Sequence, residues 1–136
     1  VIPPQELPVE EVTLKHMAEF SERAQILALE LGNKVKDLVS QGKTVVGYGA
    51  SAKATQWIQM CGFSKKHIKY VCDNTPEKQN KFMPGTDIPV AHSDVLSRDQ
   101  PDYSVLFAWN WRNECISKEK NYSGKWIVPV PKLEVI

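Results

Sequence analysis

The stretch KTVVGYGASAKATQWIQ, residues 43–59, confines this chain more than any other. A β-branched pair, Val45 and Val46, breaks into Gly47 and Gly49 and then into small residues, Lys53 and an amphipathic segment. β-Branched side chains suit a pleated strand and glycine permits a sharp turn. Ala52, Trp57, Ile58 and Cys61 are then available for burial on a following helix. A strand that turns directly into a helix opens a βαβ unit, so a second, parallel strand is expected next.

The rest of the chain keeps that alternation. IKYVCD at 68–73 reads as the second strand, and IPVAH at 88–92 as a weak third, confined by Pro89 to an edge or a strand start. DYSVLFAWN at 102–110 is nearly continuous in apolar residues, as a strand covered on both faces is. NECISKEKNY at 113–122 is short and helical, and GKWIVPVP at 124–131 forms a last strand. Strands separated by helical segments at spacings of about 20 to 30 residues imply right-handed parallel crossovers. The expected class is therefore α/β: a Rossmann-like, doubly wound, mostly parallel sheet of about five strands.

A long helix is expected ahead of the sheet. From Thr13 to Ser40, Leu14, Met17, Ala24, Leu27, Leu31, Val35 and Leu38 keep one apolar stripe over about 40 Å, with Thr13 as N-cap, Gly42 as stop and Gly32 as a candidate bend. Residues 1–12, proline-rich at the start, read as a linker, leaving 13–136 as one domain. A chain of 136 residues holds one core and not two. It opens on Val1 with VIPPQELP, which has neither the basic nor the apolar region of a signal peptide, and reads as a piece of a longer protein.

Composition narrows the partners. With 17 basic and 16 acidic residues the net charge is +1, which supplies no field for nucleic acid or an anionic membrane, and no apolar run approaches membrane-spanning length. Cys61, Cys72 and Cys115 form no C-x-x-C pair, and His16, His67 and His92 have no ligand spacing, so neither a disulfide framework nor a metal site is expected. The cysteines read as reduced and cytoplasmic.

Gly47, Gly49 and Ala52 have the G-x-G-x-x-A spacing, after a strand and at the start of a helix. Asp73, at the end of the second strand, stands where a ribose hydroxyl is hydrogen-bonded in nucleotide-binding folds. Ser51 can cap the helix or contact a phosphate, and Lys53 in the first turn opposes the helix dipole unless an anion lies there. These residues fit a nucleotide-shaped crevice for NAD or S-adenosylmethionine (SAM), and equally a tight turn without a ligand. Trp57 and Trp126 read as core, and Trp109 and Trp111 as wedges for the next helix or as stacking surfaces. Lys78 and Lys81 fit a phosphate-facing loop or a solvated connector, and His92 a helix start.

Several longer stretches bring in a resemblance: GYGASAK at 47–53, CG at 61–62, YVCDNTPEKQNKFMPGTDIPV at 70–90, PDYSVLFAWNW at 101–111 and GKWIVPVP at 124–131. In this order and spacing, from about Leu14 to Pro131, the chain resembles the C-terminal domain of the sugar C-methyltransferases, which use SAM to methylate a carbon of a nucleotide-linked deoxyketosugar. It departs from the family pattern at Ala54, Asn74 and Asn80, the first and last of which replace frequent glycines.

The resemblance implies an N-terminal zinc-binding domain, a middle SAM-binding domain that holds the catalytic base, and this Rossmann-like domain as the third part. No residue here is then catalytic and the fragment alone is inactive. The domain would help enclose the nucleotide sugar, with Gly47, Tyr48, Gly49, Ala50, Ser51 and Lys53 from the first loop as candidate contacts. Asp73 and Asn74 from the second loop join them, followed by Pro84, Gly85, Thr86 and Asn110. The competing readings are an autonomous NAD- or nucleotide-binding module and a docking domain with a vestigial crevice.

Overall fold

The computed structural model describes the backbone from Pro8 to Ile136 and side chains from Glu22 onward. Helix α1 (Pro8–Ser40) begins five residues before the expected Thr13, which lies inside it. Proline, with no N–H to leave unpaired and φ already near the helical value, suits a first helical position. Residues 1–7, the remainder of the expected linker, lie outside the described residues.

Ala28, Leu31, Val35 and Leu38 of α1 are buried, and this apolar stripe holds the helix on the sheet. Gly32 produces no break in the helix. A Cβ built there would lie 3.7 Å from Cys61 Cβ, so the glycine sits where α1 meets the next helix. The end at Gly42 is as expected: its φ is +83°, its N–H donates to Val39 O at 2.9 Å, and Lys43 N–H donates to Leu38 O at 3.0 Å.

Strand β1 (Val45–Tyr48) follows, then α2 (Ala52–Cys61) and β2 (Val71–Cys72). Ser51 caps α2 by accepting from Ala54 N–H at 3.2 Å. Ala54, Trp57, Ile58 and Cys61 are the buried face of that helix; Ala52, expected inside, is exposed, because two residues before Ala54 it lies on the opposite side of the helix. The chain continues through β3 (Val90–Ala91), α3 (Asp94–Asp99), β4 (Tyr103–Leu106), α4 (Arg112–Lys118), β5 (Lys125–Val128) and β6 (Glu134–Val135).

The sheet order is β3-β2-β1-β4-β5-β6. All neighbours are parallel except β5 and β6. The sheet has the five expected strands and a sixth, a two-residue antiparallel edge strand with too few residues to display a period. The weak strand at Pro89 is an edge strand, as its proline requires.

Alternate residues of each strand serve different faces. Val45, Val71, Val105 and Ile127 pack with α1 and α2, while Val46, Tyr48, Cys72, Leu106 and Trp126 belong to a second core. Leu96 of α3, and Cys115 and Ile116 of α4, lie in or against that second core. Burial on both faces is what made β4 read as a nearly unbroken apolar run. Trp57 and Trp126 are buried, and among the described residues no helix is long and apolar enough to cross a membrane.

Candidate functional site

In this strand order the chain reverses its direction of travel across the sheet between β1 and β4, and ligands of doubly wound folds bind beyond the carboxyl ends of the strands at such a point. The glycine loop at 47–51 leaves β1 there. Its two glycines are required by the protein itself. A Cβ on Gly47 would lie 2.7 Å from Phe107 Cε2, and one on Gly49, whose φ is +99°, would lie 2.9 Å from Ala108 Cβ. The close approach that Gly49 permits is therefore taken by Ala108, in the segment after Leu106.

Asp73 engages the same loop. Its Oδ2 accepts from Ala50 N–H at 2.9 Å and its Oδ1 from Thr75 N–H at 2.8 Å. Lys78 Nζ donates to Ala50 O at 2.9 Å and lies 3.8 Å from Asp73 Oδ2. Both peptide groups of Ala50 are thus tied to the segment after β2, and the carboxylate holds the position at the loop N–H that an anionic ligand would otherwise take. Burial alone would raise the Asp73 pKa, but hydrogen bonds from Thr75 and Ala50 and the Lys78 charge outweigh it and hold the group below its ordinary value. Asp73 is a brace for the glycine loop.

This brace separates two hollows. One, of about 470 Å³, is lined by Tyr48, Gly49, Cys72, Asp73, Asn74, Thr75, Ala108, Glu114, Cys115 and Lys118. The other, of about 560 Å³, lies between the start of α2 and the hairpin at 81–90, and includes Ala50, Ser51, Gln56, Lys78, Phe82 and Pro84. The candidate residues therefore divide: Tyr48, Gly49, Asp73 and Asn74 meet in the first hollow, and Ala50, Ser51 and Pro84 in the second.

The remaining candidates do not line these two hollows. Gly47 is inside β1, and exposed Lys53 places Nζ 5.3 Å from the centre of the Trp109 ring, a cation–π contact. Gly85 and Thr86 border a separate depression with Phe63 and Asp87, and Asn110 is exposed on the turn Trp109–Trp111. Trp109 packs edge-on against Trp57 at 5.8 Å, as a wedge does, while Trp111 is exposed. His92 Nδ1 accepts from Asp94 N–H at 3.1 Å, the helix-start role expected of it.

Within the first hollow Asn74 Oδ1 accepts from Ser93 N–H at 2.9 Å, which ties the β2 loop to the start of α3. Tyr48 donates its hydroxyl to Glu119 Oε1 at 3.3 Å, and burial with the neighbouring Glu119 pushes its pKa up, keeping it a neutral phenol. Burial pushes the Cys72 thiol up to about 12 and raises that of Cys115 as well. Neither cysteine is poised as a nucleophile. The arrangement offers hydrogen-bonding groups of both signs and suits binding more than bond-making. Among the described residues no group of three or more His, Cys, Asp or Glu side chains is placed to hold a metal.

Sequence reasoning did not find Thr75, Ala108, Glu114, Cys115 and Lys118 in the first hollow, nor Gln56 and Phe82 in the second. Thr75 had a local signal, because an aspartate followed two residues later by a bonded N–H is an Asx turn. The others are brought in from separate elements by the sheet order and carried no signal of their own.

A mostly parallel sheet in this order, helices on both faces and hollows beyond the carboxyl ends around a glycine turn define a Rossmann-like α/β domain. The family of C-methyltransferase C-terminal domains matches residues 4–131. The C-methyltransferase NovU of Streptomyces niveus is 38% identical over 121 residues, a match that covers 87% of this chain and 29% of NovU. The chain belongs to the C-methyltransferase C-terminal domain family. It spans less than a third of the length of that relative.

Proposed function

We propose that this domain is the C-terminal part of a SAM-dependent C-methyltransferase acting on a nucleotide-linked deoxysugar, and that it walls the nucleotide sugar rather than the methyl donor. The observation that carries the reading is the first hollow, at the point where the strand order reverses, with Asp73, Asn74, Thr75, Glu114 and Lys118 around a floor of Tyr48, Gly49 and Ala108. Such a set of polar and charged groups beside an apolar surface suits a sugar, whose hydroxyls need donors and acceptors and whose ring carbons need contact surface.

SAM and NAD fit the glycine loop poorly, because Ala50 N–H already donates to Asp73 and the space beside Gly49 is filled by Ala108. In this reading SAM is held by a preceding domain of the same chain, where it supplies the methyl group, and zinc by the first domain. The protein acts in the cytoplasm, without nucleic acid or membrane as partner.

Calorimetric titration of the chain tests the proposal. A nucleoside-diphosphate sugar is expected to bind at micromolar to millimolar concentration, with SAM and NAD giving no heat over the same range. Binding of SAM or NAD in its place would overturn the reading.

A further inference from the structure

We propose that the second hollow is a nucleobase site, so that one ligand straddles the glycine loop with its base between α2 and the 81–90 hairpin. The inference rests on the function proposed above and assigns the two ends of the ligand. The hollow has the three things a flat heterocycle needs. Phe82 presents an exposed ring, with 62% of its surface accessible. Gln56 presents an amide, which both donates and accepts and so can match a base edge. The volume of about 560 Å³ is ample for a base.

Phe82 is held in place by the hairpin. It bridges Pro89 in antiparallel fashion, Met83 N–H donates to Ile88 O at 2.8 Å, and Thr86 N–H closes the tip onto Met83 O at 3.0 Å. Pro84 and Gly85, with φ +72° at the glycine, occupy the central positions of that turn. Asn80, at the base of the hairpin, has φ +64°, the conformation in which glycine costs least and asparagine is the next best choice. An aromatic ring exposed on a pinned turn, beside a hollow, is a stacking surface whose ordering cost has already been met by the fold.

The first hollow has no comparable exposed ring: Tyr48 is 8% exposed and donates to Glu119. Its polar rim suits the sugar. The two hollows lie on either side of the loop, Gly49 and Asp73 bordering one and Ala50 and Lys78 the other. Lys78 is at the crossing. Its ammonium carries three donors; Ala50 O takes one and the Asp73 carboxylate lies 3.8 Å away, which leaves a donor for a diphosphate passing between the sites.

The test uses NMR of the labelled chain titrated with nucleoside diphosphates bearing different bases, with inorganic diphosphate as control. Amide shifts are expected at Thr55, Gln56 and Phe82 with the nucleotides and not with inorganic diphosphate. Phe82→Ala should weaken nucleoside diphosphate binding about tenfold while Phe82→Tyr retains it, in keeping with the contribution of base stacking. Nucleotide shifts confined to the hollow of Tyr48 and Lys118, with Phe82→Ala binding normally, would overturn the base assignment and leave the proposed function standing. Absence of binding by any nucleotide or nucleotide sugar would overturn both.

Discussion

Asp73→Ala is expected to lower the unfolding free energy by about 3 kcal/mol, because two backbone N–H groups lose a charged acceptor and Lys78 loses its anionic neighbour. Asp73→Asn should cost less, since its one amide oxygen can still accept from one of the two N–H groups. Urea denaturation of the three proteins measures both. A change of less than about 0.5 kcal/mol for alanine, the range of ordinary surface substitutions, would contradict the brace. The pH dependence provides a second readout. Folding lowers the Asp73 pKa, so the folded state takes up this proton less readily than the unfolded chain. Its stabilisation is complete above the unfolded carboxylate value of about 3.9 and is lost as pH falls through the lower folded value. In Asp73→Asn that part of the acid-induced loss should vanish.

Gly49→Ala should be as damaging, by about 3 kcal/mol, for two separable reasons. A φ of +99° is strained for any residue with a Cβ, and the new methyl would lie 2.9 Å from Ala108 Cβ and 3.2 Å from Ala108 N. Removing the Ala108 methyl relieves one contact and leaves the backbone strain. The double variant Gly49→Ala, Ala108→Gly should therefore recover part of the loss beyond additivity, by about 1 kcal/mol in a double-mutant cycle. Strict additivity would mean that the β1 loop and the end of β4 are not packed as described. Gly49 and Ala108 both line the hollow assigned to the sugar, so a shift of either alters its wall.

Much of this architecture was legible because local and tertiary demands agree. Val45 and Val46 before two glycines, Ser51 as cap and Gly62 in the left-handed conformation after Cys61 all specify β1, the turn and α2 with short-range chemistry. The nearly continuous apolar run of β4 and the edge position required by Pro89 were legible for the same reason. What escaped lacks a period or a local cause. α3 has six residues and one buried side chain, Leu96, and β6 has two exposed residues, held by backbone pairing with β5 and by the Glu134 ion pair to Arg112. The start of α1 was obscured because proline reads as linker as readily as first helical residue.

The place of the candidate loops in the fold was legible, but not their wiring. The spacing of Gly47, Gly49 and Ala52 and the distance to Asp73 pointed to the loops beyond the carboxyl ends of β1 and β2, but not to the hydrogen bonds by which Asp73 holds Ala50 and Thr75 there. Pairing β1 with both β2 and β4 brings Asp73 and Ala108 onto the loop, and no linear pattern records which backbone N–H a carboxylate will meet. Lys118 is the clearest case: a lysine in a polar helix, it gains its significance only because α4 packs beside the reversal point.

The claim that this crevice holds the nucleotide sugar is tested most directly by steady-state kinetics of Lys118→Ala in the full-length protein. Loss of one charge-assisted contact should raise KM for the nucleotide sugar about tenfold while KM for SAM stays at the parent value. An unchanged KM for the nucleotide sugar, or a rise for SAM instead, would contradict it.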